Sequence, residues 1–77
     1  MEQKLKKIMA DIFEISIDQI DESATMENIE LWDSLTHIKL MMGIEENFGI
    51  RLETEEIIKM TSFKDIKRIL STKGIKF

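Results

Sequence analysis

The sequence predicts an all-α fold: a four-helix bundle with a long loop between helices one and two and a short third helix. Apolar residues recur at helical spacing in three segments, and a fourth, shorter segment opens on a threonine followed by acids. No stretch alternates apolar and polar residues as a half-buried strand does, and no Asn-Gly pair marks a hairpin. The chain has 77 residues, enough for one modest hydrophobic core, so 1–77 is read as a single domain.

Leu5, Ile8, Met9 and Ile12 fall at i, i+3, i+4 and i+7 with lysines and acids between them. That pattern gives an amphipathic helix over about residues 2 to 14, with Lys4, Lys6 and Lys7 on its solvated face. From Ile15 to Trp32 the periodicity gives way to Ser, Asp, Thr and Asn, interrupted by Ile17, Ile20, Met26, Ile29 and Leu31. This is a loop pinned by apolar anchors. A loop of such length in so small a domain is either functional or contains a short helical turn. Asp33 or Ser34 then supplies an N-cap, helix two covers Leu35 to Asn47, and Gly49 offers its stop. Thr54 caps a third helix of about two turns through Glu55, Glu56, Ile57 and Ile58, whose acids suit the positive end of a helix dipole. Ser62 and Asp65 match a capping box; Phe63, Ile66, Ile69 and Leu70 form the apolar stripe of helix four, which runs to about Ser71.

Composition excludes several classes of function. Apolar residues make up 43% of the chain and are interleaved with charges, which argues for a folded protein over an acidic disordered tail. A net charge of −4 disfavours nucleic acid and favours a basic protein surface as partner. Cysteine is absent, so disulfides and thiolate metal sites are excluded and any thiol chemistry must use an imported thiol. One histidine and scattered carboxylates give no metal-ligand spacing, so no metal site is expected. No apolar run approaches the ~20 residues of a membrane span, and no signal-type block follows Met1. Cytoplasmic residence without membrane insertion is the expectation, as a monomer.

Projected at about 100° per residue, helix two splits its apolar positions into two groups. Leu40, Met41, Ile44 and Phe48, with His37 among them, share an arc suited to a bundle core. Leu35, Ile38 and Met42 lie on a different arc, alongside Ser34 and flanked further down by Glu45 and Glu46. A small exposed apolar patch of that kind binds something. A serine in the first turn of a helix suits a phosphodiester, because the unpaired N–H groups and the dipole favour negative charge there. Asp33-Ser34 is equally a plain capping pair when taken alone.

The longer run Trp32-Asp33-Ser34-Leu35-Thr36-His37-Ile38-Lys39-Leu40-Met41-Met42-Gly43-Ile44-Glu45-Glu46-Asn47-Phe48 resembles the acyl carrier protein signature. In that family Asp-Ser-Leu opens an amphipathic helix that closes on Glu-Glu-x-Phe. Glu55 to Ile66 is similar to the family's short third helix and following fourth helix, and helix one with its loop fits as well. The resemblance thus covers nearly the whole chain and implies a four-helix bundle of acyl-carrier type. It implies that Ser34 carries 4′-phosphopantetheine, installed from coenzyme A by a phosphopantetheinyl transferase, and that Asp33 helps present the serine and the transferase's metal. It implies a partner surface of Leu35, Ile38 and Met42, with acidic contacts from Glu45, Glu46, Glu55 and Glu56. The implied role is to hold acyl groups as thioesters for acyl-loading, acyl-transferring or condensing enzymes of fatty-acid, polyketide or other specialised pathways, with no catalysis by the chain itself.

Two features depart from the family's common form. Trp32 stands where fatty-acid carriers more often have a small residue, and such Trp-Asp-Ser forms resemble stand-alone carriers from specialised pathways. Lys39 falls near the patch in a helix that is often strongly acidic in the family. Trp32 is either a loop anchor or a recognition residue. His37 projects to the core arc as a packed or hydrogen-bonded residue. The six methionines are core and patch filler. Gly43 inside helix two costs up to about 1 kcal/mol relative to alanine, for close helix packing or for room beside the arm. Other readings remain: an aminoacyl or peptidyl carrier, or an unmodified helical interaction module. A hydrolase using Ser34 and His37 lacks an oxyanion loop and an orienting acid.

Overall fold

The computed structural model describes residues 1–77 and is all-helical: α1 (Glu2–Phe13), α2 (Ser34–Phe48), α3 (Thr54–Lys59) and α4 (Phe63–Thr72), with a 3-10 turn at Ile17–Gln19. The only strand-like feature is an isolated bridge between Thr25 and Ser62. Seventeen buried apolar residues drawn from all parts of the chain form one cluster.

α1 buries Leu5, Met9, Ala10 and Phe13 and turns Ile8 and Ile12 toward α2. The helix stops at Phe13 because Glu14 takes the left-handed conformation (φ 57°), from which its N–H reaches the Ala10 carbonyl. α1 and α2 run antiparallel. Lys4 lies by Asn47 at the far end of α2, Ile8 and Ile12 by Gly43, and Phe13 stacks on Trp32 just before α2 begins. The lysines of α1 do more than face water. Lys4 Nζ donates to the Asn47 carbonyl (2.8 Å), filling an open acceptor at the negative end of α2. Lys6 pairs with Glu2 at 3.8 Å.

The long loop does hold a short helical turn, and it is well tied down. Ile20, Ala24, Ile29 and Trp32 are buried and Ile17 and Met26 half-buried, but Leu31 faces solvent and is no anchor. Met26 N–H donates to Thr61 O (3.0 Å) and Phe63 N–H to Ala24 O (2.9 Å), so the loop is laced to the α3–α4 junction. Asp21 accepts from Ser23 N–H, and Asn28 joins Thr25 to Ser23. These bonds satisfy backbone that no regular element serves.

α2 buries His37, Leu40, Met41 and Ile44, with Phe48 half-buried, and ends at Gly49 in the left-handed conformation (φ 64°). That is the arc expected of the core face. α3 contains no fully buried residue; buried Leu52 before it and Met60 after it hold its ends. Its cap is Glu53 and not Thr54, which is the first helical residue; Glu56 reaches back to accept from Glu53 N–H (2.8 Å). In α4, Ser62 accepts from Asp65 N–H (3.0 Å) and the Asp65 carboxylate accepts from Arg68 (3.1 Å); the return bond to the Ser62 N–H is not made, so the capping box is half formed. Lys67 of α4 binds Glu2 (3.0 Å) and Glu22 (2.6 Å) over the buried Phe63 ring, joining α4, α1 and the loop.

Gly43 has a simple test. A Cβ added there would lie 3.5 Å from Ile8 Cγ2 and 3.8 Å from Ile12 Cδ1, both ordinary contacts. Close packing therefore does not require glycine. Gly43→Ala should stabilise the protein by about 0.5–1 kcal/mol, read as a higher denaturant midpoint at unchanged slope. A loss of stability would mean that Ile8 and Ile12 cannot accommodate the methyl group.

Candidate functional site

The site is the start of α2. Asp33 is the N-cap, in extended conformation (φ −116°, ψ −172°), and its carboxylate accepts from Thr36 N–H at 3.0 Å. Thr36 completes the box. Its hydroxyl accepts from Asp33 N–H (2.9 Å) and donates to the Leu31 carbonyl. Asp33 and Thr36 therefore do the capping, and Ser34, the exposed first residue of the helix, is left out of it. Thr36 is the residue that sequence patterning does not single out, although Asp33-x-x-Thr36 is a capping signal.

Hydrogen bonds from Thr36, first from its N–H and also from its hydroxyl, hold the Asp33 carboxyl below the usual carboxylate range. The same sign holds at Glu2 (Lys67), Asp21 (Ser23), Glu56 (Glu53 N–H, then Lys73) and Asp65 (Arg68, Ser62). Lys67 moves the other way, raised chiefly by Glu22. For the carboxyls the folded state binds protons more weakly than the unfolded chain, so their contribution is full above the ordinary carboxylate range. It is lost as pH falls through the lowered folded values. Lys67 contributes below its ordinary range and loses that contribution as pH rises through its raised value. The Tm should thus be flat around neutrality, fall below about pH 4 and fall again above about pH 10.4. A thermal-melt series checks this, and Lys67→Met should blunt the alkaline limb and weaken the acid one.

Trp32 is a loop anchor. Its ring is buried and stacks on Phe13 with centroids 4.9 Å apart, and its Nε1–H donates to His37 Nδ1 at 2.9 Å. His37 Nε2 lies 2.8 Å from the Ile57 carbonyl, which can only accept, so the ring is neutral with its proton on Nε2. Both ring nitrogens are engaged and the residue is 8% exposed. His37 is not free to act as a base toward Ser34.

Leu35, Ile38 and Met42 are 66%, 51% and 63% exposed, and Ile58 on α3 is 68% exposed. Large apolar side chains at that exposure do not serve this chain's own core. Leu31 is also an exposed large apolar side chain, as are Met1 and Phe77. The four acids divide. Glu45 accepts from Leu52 N–H (2.8 Å), and Glu56 from Glu53 N–H and from Lys73 (2.8 Å), so both are engaged within the fold. Glu46 and Glu55 are exposed, as is Lys39.

The chain is thus a small helical bundle in which the exposed Ser34 hydroxyl stands at the start of α2 beside an exposed apolar patch. The chain belongs to the phosphopantetheine attachment site family, whose model matches residues 3–70. It is 30% identical over 73 residues to an acyl carrier protein of Nitratidesulfovibrio vulgaris, covering 95% of this chain and 96% of that protein. It is 28% identical to an acyl carrier protein of Thermosynechococcus vestitus over 92% of this chain and 88% of that one. It is also 25% identical to polyketide-8 synthase acyl carrier protein 2 of Streptomyces avermitilis, over 92% and 82%. Members of the family carry covalently attached 4′-phosphopantetheine and act as carriers, not enzymes. No helix is long and apolar enough to cross a membrane.

Proposed function

We propose that Ser34 is the attachment serine and that the chain carries acyl groups as thioesters between biosynthetic enzymes. The observation that carries this reading is the division of labour at the start of α2: Asp33 and Thr36 close the cap, which leaves the exposed Ser34 hydroxyl free to react. The residues present fit the group. The positive end of α2 favours a phosphodiester on Ser34, and exposure admits a transferase. The Asp33 carboxylate, held ionised by Thr36, stands beside it to meet the transferase's metal. When bound, the group supplies the thiol that this cysteine-free chain lacks.

In the loading step the Ser34 oxygen attacks the phosphate of coenzyme A next to the pantetheine; the hydroxyl proton passes to a base and the adenosine 3′,5′-bisphosphate half leaves. Leu35, Ile38 and Met42 form the apolar part of the docking face, with Ile58 added from α3. Glu46 and Glu55 are its free acids, whereas Glu45 and Glu56 act mainly as internal ties. Lys39 reduces the negative charge of α2, which suits a partner gripped by apolar contact more than by a strongly basic surface. The likeness to three acyl carrier proteins, one of them from a polyketide synthase, favours acyl over aminoacyl cargo.

The direct test is co-expression with a broad-specificity phosphopantetheinyl transferase followed by intact-mass measurement. One phosphopantetheinyl addition, absent in Ser34→Ala, is expected; an unmodified wild type overturns the proposal. Loading by acyl-transferring against adenylating enzymes separates acyl from aminoacyl cargo.

A further inference from the structure

His37 is where three elements meet. Trp32 of the loop donates to its Nδ1 (2.9 Å), and its Nε2 donates to the Ile57 carbonyl of α3 (2.8 Å). Ile57 O also accepts from Met60 N–H (3.2 Å), so His37 brings a second donor to the negative end of α3. That helix has six residues and no fully buried side chain. A helix so short does not hold itself in water, and its placement comes from what grips its ends. Leu52 and Met60 grip it by burial; His37 is the polar tie, and it comes from the same first turn of α2 that presents Ser34.

We propose that His37 is a positioning residue: the Trp32–His37–Ile57 relay fixes α3 against the start of α2, so that Ile58 and the Leu35–Ile38–Met42 patch meet a partner in one fixed arrangement around Ser34. The functional half of this inference rests on the reading of Ser34 as the attachment site. The relay needs one acceptor and one donor on the same side chain, which glutamine supplies and leucine does not. A contact that served stability alone would lower the melting point without a selective effect on docking.

The experiment compares wild type, His37→Gln and His37→Leu in two readouts at a temperature where all are folded. The first is amide hydrogen exchange of the apo protein. The second is phosphopantetheinyl transfer by a broad-specificity transferase, followed by intact mass with KM and kcat resolved. His37→Leu should speed exchange of the Met60 amide about tenfold and raise KM for the carrier several-fold at nearly unchanged kcat. His37→Gln should recover most of both. Unchanged α3 protection in His37→Leu, an unchanged KM, or equal defects in the two variants overturns the proposal. If His37→Leu does not fold, Trp32→Phe replaces it with the same expected direction of change, since it keeps an aromatic ring against Phe13 while removing the N–H donor together with part of the indole. A wild type that takes up no phosphopantetheine overturns the Ser34 reading instead, and the exchange comparison then decides the relay alone.

Discussion

Ser34→Ala should abolish phosphopantetheinylation completely while leaving the apo protein's stability within about 0.5 kcal/mol of wild type. Covalent attachment needs the hydroxyl, and no other residue offers one in that place. The fold does not need it, because the cap is made by Asp33 and Thr36. Asp33→Ala should show the contrast by costing about 0.5–2 kcal/mol through loss of the cap. Mass measurement and a denaturant melt on the same samples check the pair. If Ser34→Ala complements the function of the wild type in cells, the chain is an unmodified interaction module and the carrier reading fails. If instead Ser34→Ala destabilises by a full cap's worth, the assignment of the cap to Asp33 is wrong.

Trp32→Ala should be the most destabilising change near the site. Removing a buried tryptophan leaves a cavity that costs about 3–5 kcal/mol, and here it also strips the donor from His37 Nδ1 and the stacked partner from Phe13. Against a total stability of about 5–15 kcal/mol for a small domain, that change should leave the protein close to unfolding. Trp32→Phe keeps the stacked ring and should cost much less. Far-UV circular dichroism through a thermal melt reads both, with Trp32→Ala melting tens of degrees lower at about 4–8 °C per kcal/mol. A near-native melt for Trp32→Ala would show that the residue is a surface recognition group after all.

Much of the fold was legible along the chain. The two-arc reading of α2 survives residue by residue: His37, Leu40, Met41 and Ile44 are buried, while Leu35, Ile38 and Met42 are exposed. It succeeds because a helix converts sequence spacing directly into angle. The caps were less legible. Glu53 and not Thr54 caps α3, and Asp65 keeps its N–H on Ser62 but adds a bond to Arg68 in place of the return bond to the Ser62 N–H, because several nearby polar groups could serve and their choice depends on neighbours within a few ångströms. Leu31 is exposed although it sits among the loop's apolar anchors, because the loop has no period by which to sort inside from outside.

The charges show the same division. Glu45, Glu46, Glu55 and Glu56 are indistinguishable as four acids in a carrier-like pattern. Yet Glu45 is taken by the Leu52 amide and Glu56 by the Glu53 amide and Lys73, which leaves Glu46 and Glu55 outward. The lysines of α1 likewise fall on its polar face by spacing alone, yet Lys4 reaches the end of α2 and Lys6 pairs with Glu2.

The sequence by itself determined the helix count, the apolar faces and the need for an imported thiol, since each follows from composition or from spacing within one local segment, and its motifs carried the family likeness. Only the tertiary structure decided that Trp32 anchors, that His37 joins loop, α2 and α3, and that Ser34 is spared from the cap. Those outcomes turn on hydrogen bonds, one of them between residues twenty apart in the chain, whose direction and distance exist only once the elements have packed.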